Sequence, residues 1–257
     1  MIGAISGDVL GSIYEFNNYK STDFILFDKD CKYTDDTVLT IATADCLLNK
    51  GNFTQYYKKY FQDYPDRGYG GSFKEWGSGS STEPYNSWGN GSAMRISPVG
   101  FAFSSLEFVL INAKKSAKVT HNHPEGIKGA QAVAAAIFMA KSGSSKNEIK
   151  EFIENKFYYK LDKTLKEIRP SYSFDVSCQG SVPQAITAFL ESDDFEDAIR
   201  KAISIGGDSD TIACITGGIA EAYYGGVPED IIKFVLSKLD KNLIKVVTDF
   251  YKTFINN

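Results

Sequence analysis

The stretch from Gly206 to Gly225, GGDSDTIACITGGIAEAYYG, constrains the fold more than any other part of the chain. Two glycines lead into Asp208 and Asp210, which flank Ser209; Thr211 follows, and small and apolar residues then run for several helical turns. This pattern describes a loop feeding a buried helix. Side chains two apart splay on a regular helix, so the two carboxylates converge only if Asp208 sits in the loop and Asp210 in the first turn. The free N–H groups and the dipole at that end of a helix tolerate negative charge. A second such start lies upstream, where Thr34, Asp35, Asp36 and Thr37 precede the apolar run VLTIATADCLLNKG. Two carboxylate-rich helix starts in one chain point to one shared site.

Four carboxylates brought together at low effective dielectric repel one another and raise at least one pKa, unless cations lie between them. Oxygen ligands from Asp and Thr, without sulfur or imidazole, suit Mg²⁺ or Mn²⁺ and argue against zinc. Each acid pair alone also reads as an ordinary helix N-cap. The shared-site reading rests on the recurrence of the same unit: an acid pair, an adjacent Thr and an apolar helix.

With 257 residues, 43% of them hydrophobic and 23% charged, the chain can bury one sizeable core, and we expect a single domain over residues 1–257. A formal charge of −4 and the lack of any Lys or Arg run leave no basic footprint for nucleic acid. A phosphate-bearing ligand must then be held by backbone N–H groups, metal ions and a few placed side chains. The four cysteines show no CxxC or zinc spacing, which fits reduced thiols. No basic leader opens the chain, and no stretch nears the roughly 20 apolar residues that span a membrane. A cytoplasmic monomer is expected.

In order along the chain, Gly3, Gly7 and Gly11 recur on one face of a first helix, and Ala213 and Gly217 offer a matching small face for close backbone packing. Glu15 lies seven residues after Asp8, a helical spacing that would put both on one face; an exposed helix-end glutamate is the alternative. Phe53, Tyr56, Tyr57, Tyr60, Phe61 and Tyr64 form the aromatic stripe of a further helix. Residues 62 to 91 are rich in Gly, Ser, Pro and Tyr and read as a long loop, either functional or disordered. At its end, Gly89 and Gly91 allow close approach of a ligand to the backbone, and Ser92 and Ala93 would open a helix with N–H groups aimed at phosphate. The apolar run after Pro124 is a buried helix, and Ser145 with Glu148 and Asp193 with Glu196 have capping-box spacing. Pro228 suits the first position of another helix, and a last one follows Lys241. His121 and His123 lack the third His or Cys that a zinc site needs, and either structures a loop or bonds a ligand. The periodicity is close to 3.6 almost throughout, so the fold class is all-α: a compact helical bundle with its loops gathered over a metal site.

Taken together, GDVLGSIYE, YTDDT, WGNGSAMRISP, THNHPEG and GGDSDTIA resemble the ordered signature motifs of the ADP-ribosylglycohydrolase family, from residue 3 to about 225. The resemblance implies an orthogonal helical bundle with a dinuclear Mg²⁺ or Mn²⁺ centre. It implies Thr34, Asp35, Asp36, Asp208, Asp210 and Thr211 as metal ligands, and Glu15 as the glutamate beside the scissile bond; Glu15 and Asp36 are the candidate catalytic residues. Ser87, Trp88, Gly89, Asn90, Gly91 and Ser92 match the loop that holds adenosine and diphosphate. His121 matches the histidine near the phosphates and ribose. Trp88 stands where family members often carry Tyr.

The implied reaction is hydrolysis of the N- or O-glycosidic bond between ADP-ribose and an acceptor, which is a protein side chain, a nucleobase or a small molecule. Such cleavage develops oxocarbenium character in the ribose and needs ribose positioning, leaving-group protonation and a water. Two rival readings share these residues: a metal-dependent phosphoester hydrolase, and a non-catalytic ADP-ribose binder.

Overall fold

A computed structural model describes residues 1–255; the last two positions of the expected 1–257 domain lie outside the described residues. The first five helices are α1 (Ile2–Gly11), α2 (Asp35–Leu48), α3 (Phe53–Asp63), α4 (Gly71–Ser78) and α5 (Gly91–Met94). Five more follow: α6 (Ser97–Ala102), α7 (Leu106–Lys118), α8 (Pro124–Lys141), α9 (Lys146–Phe157) and α10 (Leu165–Ile168). The last five are α11 (Cys178–Leu190), α12 (Phe195–Ile203), α13 (Ser209–Tyr224), α14 (Glu229–Leu236) and α15 (Lys241–Phe254). No strand occurs among the described residues; an isolated antiparallel bridge joins Gly89 to Ser177. The fold is all-α.

Short polar side chains begin these helices by accepting from the free N–H groups of the first turn. Asn52 does so for α3, Asp240 for α15, and Ser145 with Glu148 closes a full capping box on α9. His123 caps α8, its Nδ1 accepting from Glu125 N–H at 3.2 Å. That bond gives His123 the loop-structuring role left open above.

Helix α13 is the axis of the molecule. Every residue from Ser209 to Glu221 is buried, and α1, buried over its whole length, lies directly on it. A Cβ on Gly7 would stand 2.0 Å from the Ala213 carbonyl oxygen, and one on Gly3 would stand 2.3 Å from that of Gly217. The backbones therefore touch, as the matched small faces led us to expect. At the other end of the contact a Cβ on Gly11 would lie 2.6 Å from Asp210 Cα, so the C-terminus of α1 is pressed against the acid-rich start of α13. Around this pair the apolar faces of the remaining helices close a core that includes Leu39, Ile137, Ile186 and Phe250.

Four expectations need correction. Helix α1 stops at Gly11, and Glu15 sits in the turn that follows, so its approach to Asp8 comes from that turn and not from helical spacing. The turn docks on the Gly206–Gly207 corner, where both glycines have φ near +70° (76° and 70°) and Gly207 N–H reaches Asn18 Oδ1 at 3.2 Å. Within the supposed loop of residues 62 to 91, α4 forms because Phe73 and Trp76 bury themselves against the aromatic stripe of α3. The cap of α12 is Asp194, one residue later than the capping-box spacing suggested. Pro228 precedes α14 as its N-cap instead of filling the first helical position.

Candidate active site

Asp8 is the lone acid of α1, fully buried, and its carboxylate builds the first half of the site. One oxygen accepts from the N–H groups of Thr34 and Thr37, both at 3.0 Å, and the other from the Thr34 hydroxyl at 2.6 Å. A carboxylate with three such bonds pins the start of α2 to α1. Thr34 is the N-cap of α2, with its Oγ1 accepting from Asp36 N–H at 3.3 Å. Asp35 is tied down through its own N–H to the Arg67 carbonyl at 2.7 Å.

The second half comes from α13. Asp208 is its N-cap and Asp210 lies in its first turn, the loop-then-helix arrangement that convergence requires. Asp208 Oδ2 accepts from Asn90 Nδ2 at 2.6 Å, and Thr211 Oγ1 donates to Asp36 Oδ2 at 3.3 Å, which joins the two helix starts. Carboxylate oxygens of Glu15, Asp208 and Asp210 all lie within 4.8 Å of one another. Burial, and behind it mutual repulsion, holds the carboxyls of Asp35, Asp36 and Asp210 well above the usual carboxylate range. Burial raises Asp208 too, although its bond from Asn90 pulls the other way. Glu15 is pushed up to about 7 by burial first, then by the charges of Asp208 and Asp8.

These groups form one wall of a cavity of about 450 Å³ that Glu15, Thr34, Asp35, Asp36, Asp208, Asp210 and Thr211 all line. Ser87, Asn90, Gly91 and His121 line the same cavity, so eleven of the fourteen sites singled out in the sequence converge, Glu15 and half of the loop among them. Trp88, Gly89 and Ser92 stand apart from that lining. The Trp88 indole is 54% exposed and packs beside His123, with ring centroids 5.6 Å apart. Gly89 N–H is taken by Ser87 Oγ and Asn90 N–H by the Val176 carbonyl, so the loop is pinned to the segment before α11. Ser92 Oγ donates to the Gly126 carbonyl at 2.7 Å and ties the loop to α8. The Gly89 N–H is thus already taken within the loop.

Several lining residues were not singled out in the sequence. Phe16 and Phe174 stack at 5.9 Å, exposed beside the cavity; Tyr85 and the buried Arg95 lie behind the loop. Asp8 carried a legible signal, a single acid inside a helix otherwise small and apolar, since acids are almost never fully buried unless partnered. Phe174 and Tyr85 carried none, because both lie in irregular segments that only tertiary contacts position.

The donor set fits divalent cations. Asp36 Oδ1 is buried without a hydrogen-bond partner, an arrangement costly for an ionised oxygen unless a cation meets it. The side chains of Thr34, Asp35, Asp36, Asp208, Asp210 and Thr211 offer hard oxygens.

An all-α bundle with an acid cluster at two helix starts is the class of protein that fold and site define, and comparison narrows it. The chain matches the family model for ADP-ribosylglycohydrolase over residues 1–254 and belongs to that family, whose enzyme class is ADP-ribosyl glycohydrolase. It is 29% identical to human ADP-ribosylhydrolase ARH3, over 89% of this chain and 86% of that one, and 28% identical to the mouse protein, over 89% and 84%. It is also 26% identical to ADP-ribosylarginine hydrolase Tri1 of Pseudomonas putida (strain GB-1), over 79% of this chain and 62% of that one. A solved structure titled ADP-ribosylglycohydrolase-related protein complex shares the fold, with a TM-score of 0.77 at 22% identity, covering 98% of this chain and 95% of that one.

Proposed function

We propose that the protein hydrolyses the bond between C1′ of an ADP-ribosyl group and its acceptor, releasing ADP-ribose, with two Mg²⁺ or Mn²⁺ ions at the acid cluster. The observation that carries this reading is that the acid cluster and the Ser87–Gly91 loop with His121 border a single cavity. Its size falls within the range of small-molecule sites.

Thr34, Asp35, Asp36, Asp208, Asp210 and Thr211 would hold the ions. When bound, such ions supply positive charge that polarises ribose hydroxyls and a water. Glu15 stands at the ribose end, beside Asp208 and Asp210. With its carboxyl raised to about 7, it is matched to giving a proton to the leaving group or taking one from the water near neutral pH. Asp36, buried and short of one partner, orients the same end. Gly91 and Ser92 N–H groups receive the diphosphate, and the exposed face of Trp88 receives the adenine outside the acid end of the cavity. The acceptor lies on the far side of the scissile bond from these contacts; the name of the Pseudomonas relative makes arginine the first acceptor to try.

The test is a panel of arginine-, serine- and base-linked ADP-ribose substrates, assayed with and without Mg²⁺ or Mn²⁺. Metal-dependent release of free ADP-ribose from at least one is expected. Release of inorganic phosphate would mean a phosphoester hydrolase, and binding of ADP-ribose without turnover of any substrate would mean a binder.

A further inference from the structure

Arg95 is the largest side chain sealed in the core, and no carboxylate pairs with it among the described residues. Its guanidinium stacks on Tyr57, 4.1 Å from the ring centroid, and Nη2 donates to the Ser116 carbonyl at 3.0 Å and to Thr120 Oγ1 at 2.8 Å. Thr120 Oγ1 in turn lies 2.8 Å from His121 Nδ1. The direction of that last bond follows from counting protons. A threonine hydroxyl has one hydrogen and two lone pairs, and a guanidinium only donates. Arg95 occupies one lone pair. The hydroxyl is fully buried, and of its two contacts at 2.8 Å only His121 Nδ1 has a lone pair to take its hydrogen. The hydrogen left on Thr120 then points at His121 Nδ1, which must accept it.

We propose that the buried chain Arg95 to Thr120 to His121 fixes His121 as the neutral tautomer with its proton on Nε2, and presents that N–H to an acceptor oxygen of the substrate. Nε2 is on the far side of the ring from Thr120, against Gly91: a Cβ there would come within 3.1 Å of it, and His121 borders the cavity at that point. Among the described residues Nε2 has no hydrogen-bond partner of its own. Burial, then the positive charge of Arg95, keeps the imidazole well below its usual pKa and so uncharged at neutral pH. Arg95 and Thr120 are thereby positioning residues, acting through His121. The oxygen it meets belongs to the diphosphate or the adjoining ribose if the ADP-ribose reading is right, and on that point alone the inference rests on it.

Nitrogen-15 NMR of the uniformly labelled protein tests this directly, since the chain has only two histidines. His123→Asn, which preserves an N-cap for α8, identifies the His121 signals. Expected at neutral pH is an unprotonated Nδ1 and a protonated Nε2. Thr120→Val removes the hydroxyl at nearly constant shape; the proton should redistribute toward Nδ1, and titration with ADP-ribose should show about tenfold weaker binding. Thr120→Ser should restore both. A wild-type Nδ1–H tautomer or an imidazolium refutes the inference without any variant. So does a Thr120→Val protein that binds ADP-ribose more weakly with its tautomer unchanged, because the threonine would then act by packing alone. If the wild type holds the Nε2–H tautomer but binds no ADP-ribose, the relay stands and the proposed function falls.

Discussion

At the scale of single residues, Glu15 and Trp88 separate turnover from binding. In the proposed function Glu15 carries the proton at the acid end, so Glu15→Gln should keep ADP-ribose affinity and lose most turnover, a split read by calorimetry beside single-turnover kinetics. Trp88 lies outside the cavity lining with half its surface free. Base stacking on an aromatic face is worth about 1 to 3 kcal/mol, so Trp88→Ala should weaken free ADP-ribose by roughly tenfold while metal occupancy is unchanged. Unaltered affinity would reduce Trp88 to an anchor of the loop against His123. Asp208 is one of the clustered carboxylates and is tied to the loop through Asn90. Metal titration of Asp208→Ala should therefore show weakened occupancy, and binding of both ions as in the wild type would refute the shared site.

At the scale of elements, the α1–α13 contact fixes the distance between the two helix starts. A methyl group at Gly7 has no room, since the nearest atoms are backbone of α13 at 2.0 to 2.5 Å and cannot swing aside. Overpacking of this kind costs about 1 to 3 kcal/mol or more. Gly7→Ala should lower the melting temperature by several degrees and should also weaken metal binding, because separating the helices moves Asp8 and Thr34 away from Asp210. A variant that melts lower but binds metal normally would show that the contact serves stability alone.

At the scale of the whole molecule, a cluster of largely buried acids on the wall of a cavity makes stability depend on pH and metal together. Glu15 is raised from 4.5 to about 7, and its neighbours are raised as well. A carboxyl raised in the folded state binds its proton more tightly there than in the unfolded chain. Its contribution is therefore fully present below about 4.5 and is lost as pH climbs through 7. The metal-free protein should accordingly melt at progressively lower temperature between these limits, and saturating Mg²⁺ should remove the decline by binding the ionised form. Thermal denaturation at a series of pH values in EDTA and in Mg²⁺ checks both, and a flat profile in EDTA would contradict the burial of these charges.

Sequence by itself determined the helical class, because apolar residues recurring at 3.6 positions have one way to reach a core, and it marked both acid-rich helix starts, because capping and charge at a helix N-terminus are local effects. It also paired α1 with α13, since small residues every four positions only make sense where two backbones touch. Tertiary structure decided what local rules cannot reach. Glu15 meets Asp208 and Asp210 by way of a turn folded onto two left-handed glycines; α4 persists in a glycine-rich segment because Phe73 and Trp76 find the aromatic face of α3. Trp88 and Gly89 fell outside the cavity lining for the same reason: their carbonyls accept from the N–H and the Sγ of Cys178, about ninety residues away, and no spacing within the loop encodes a partner that distant.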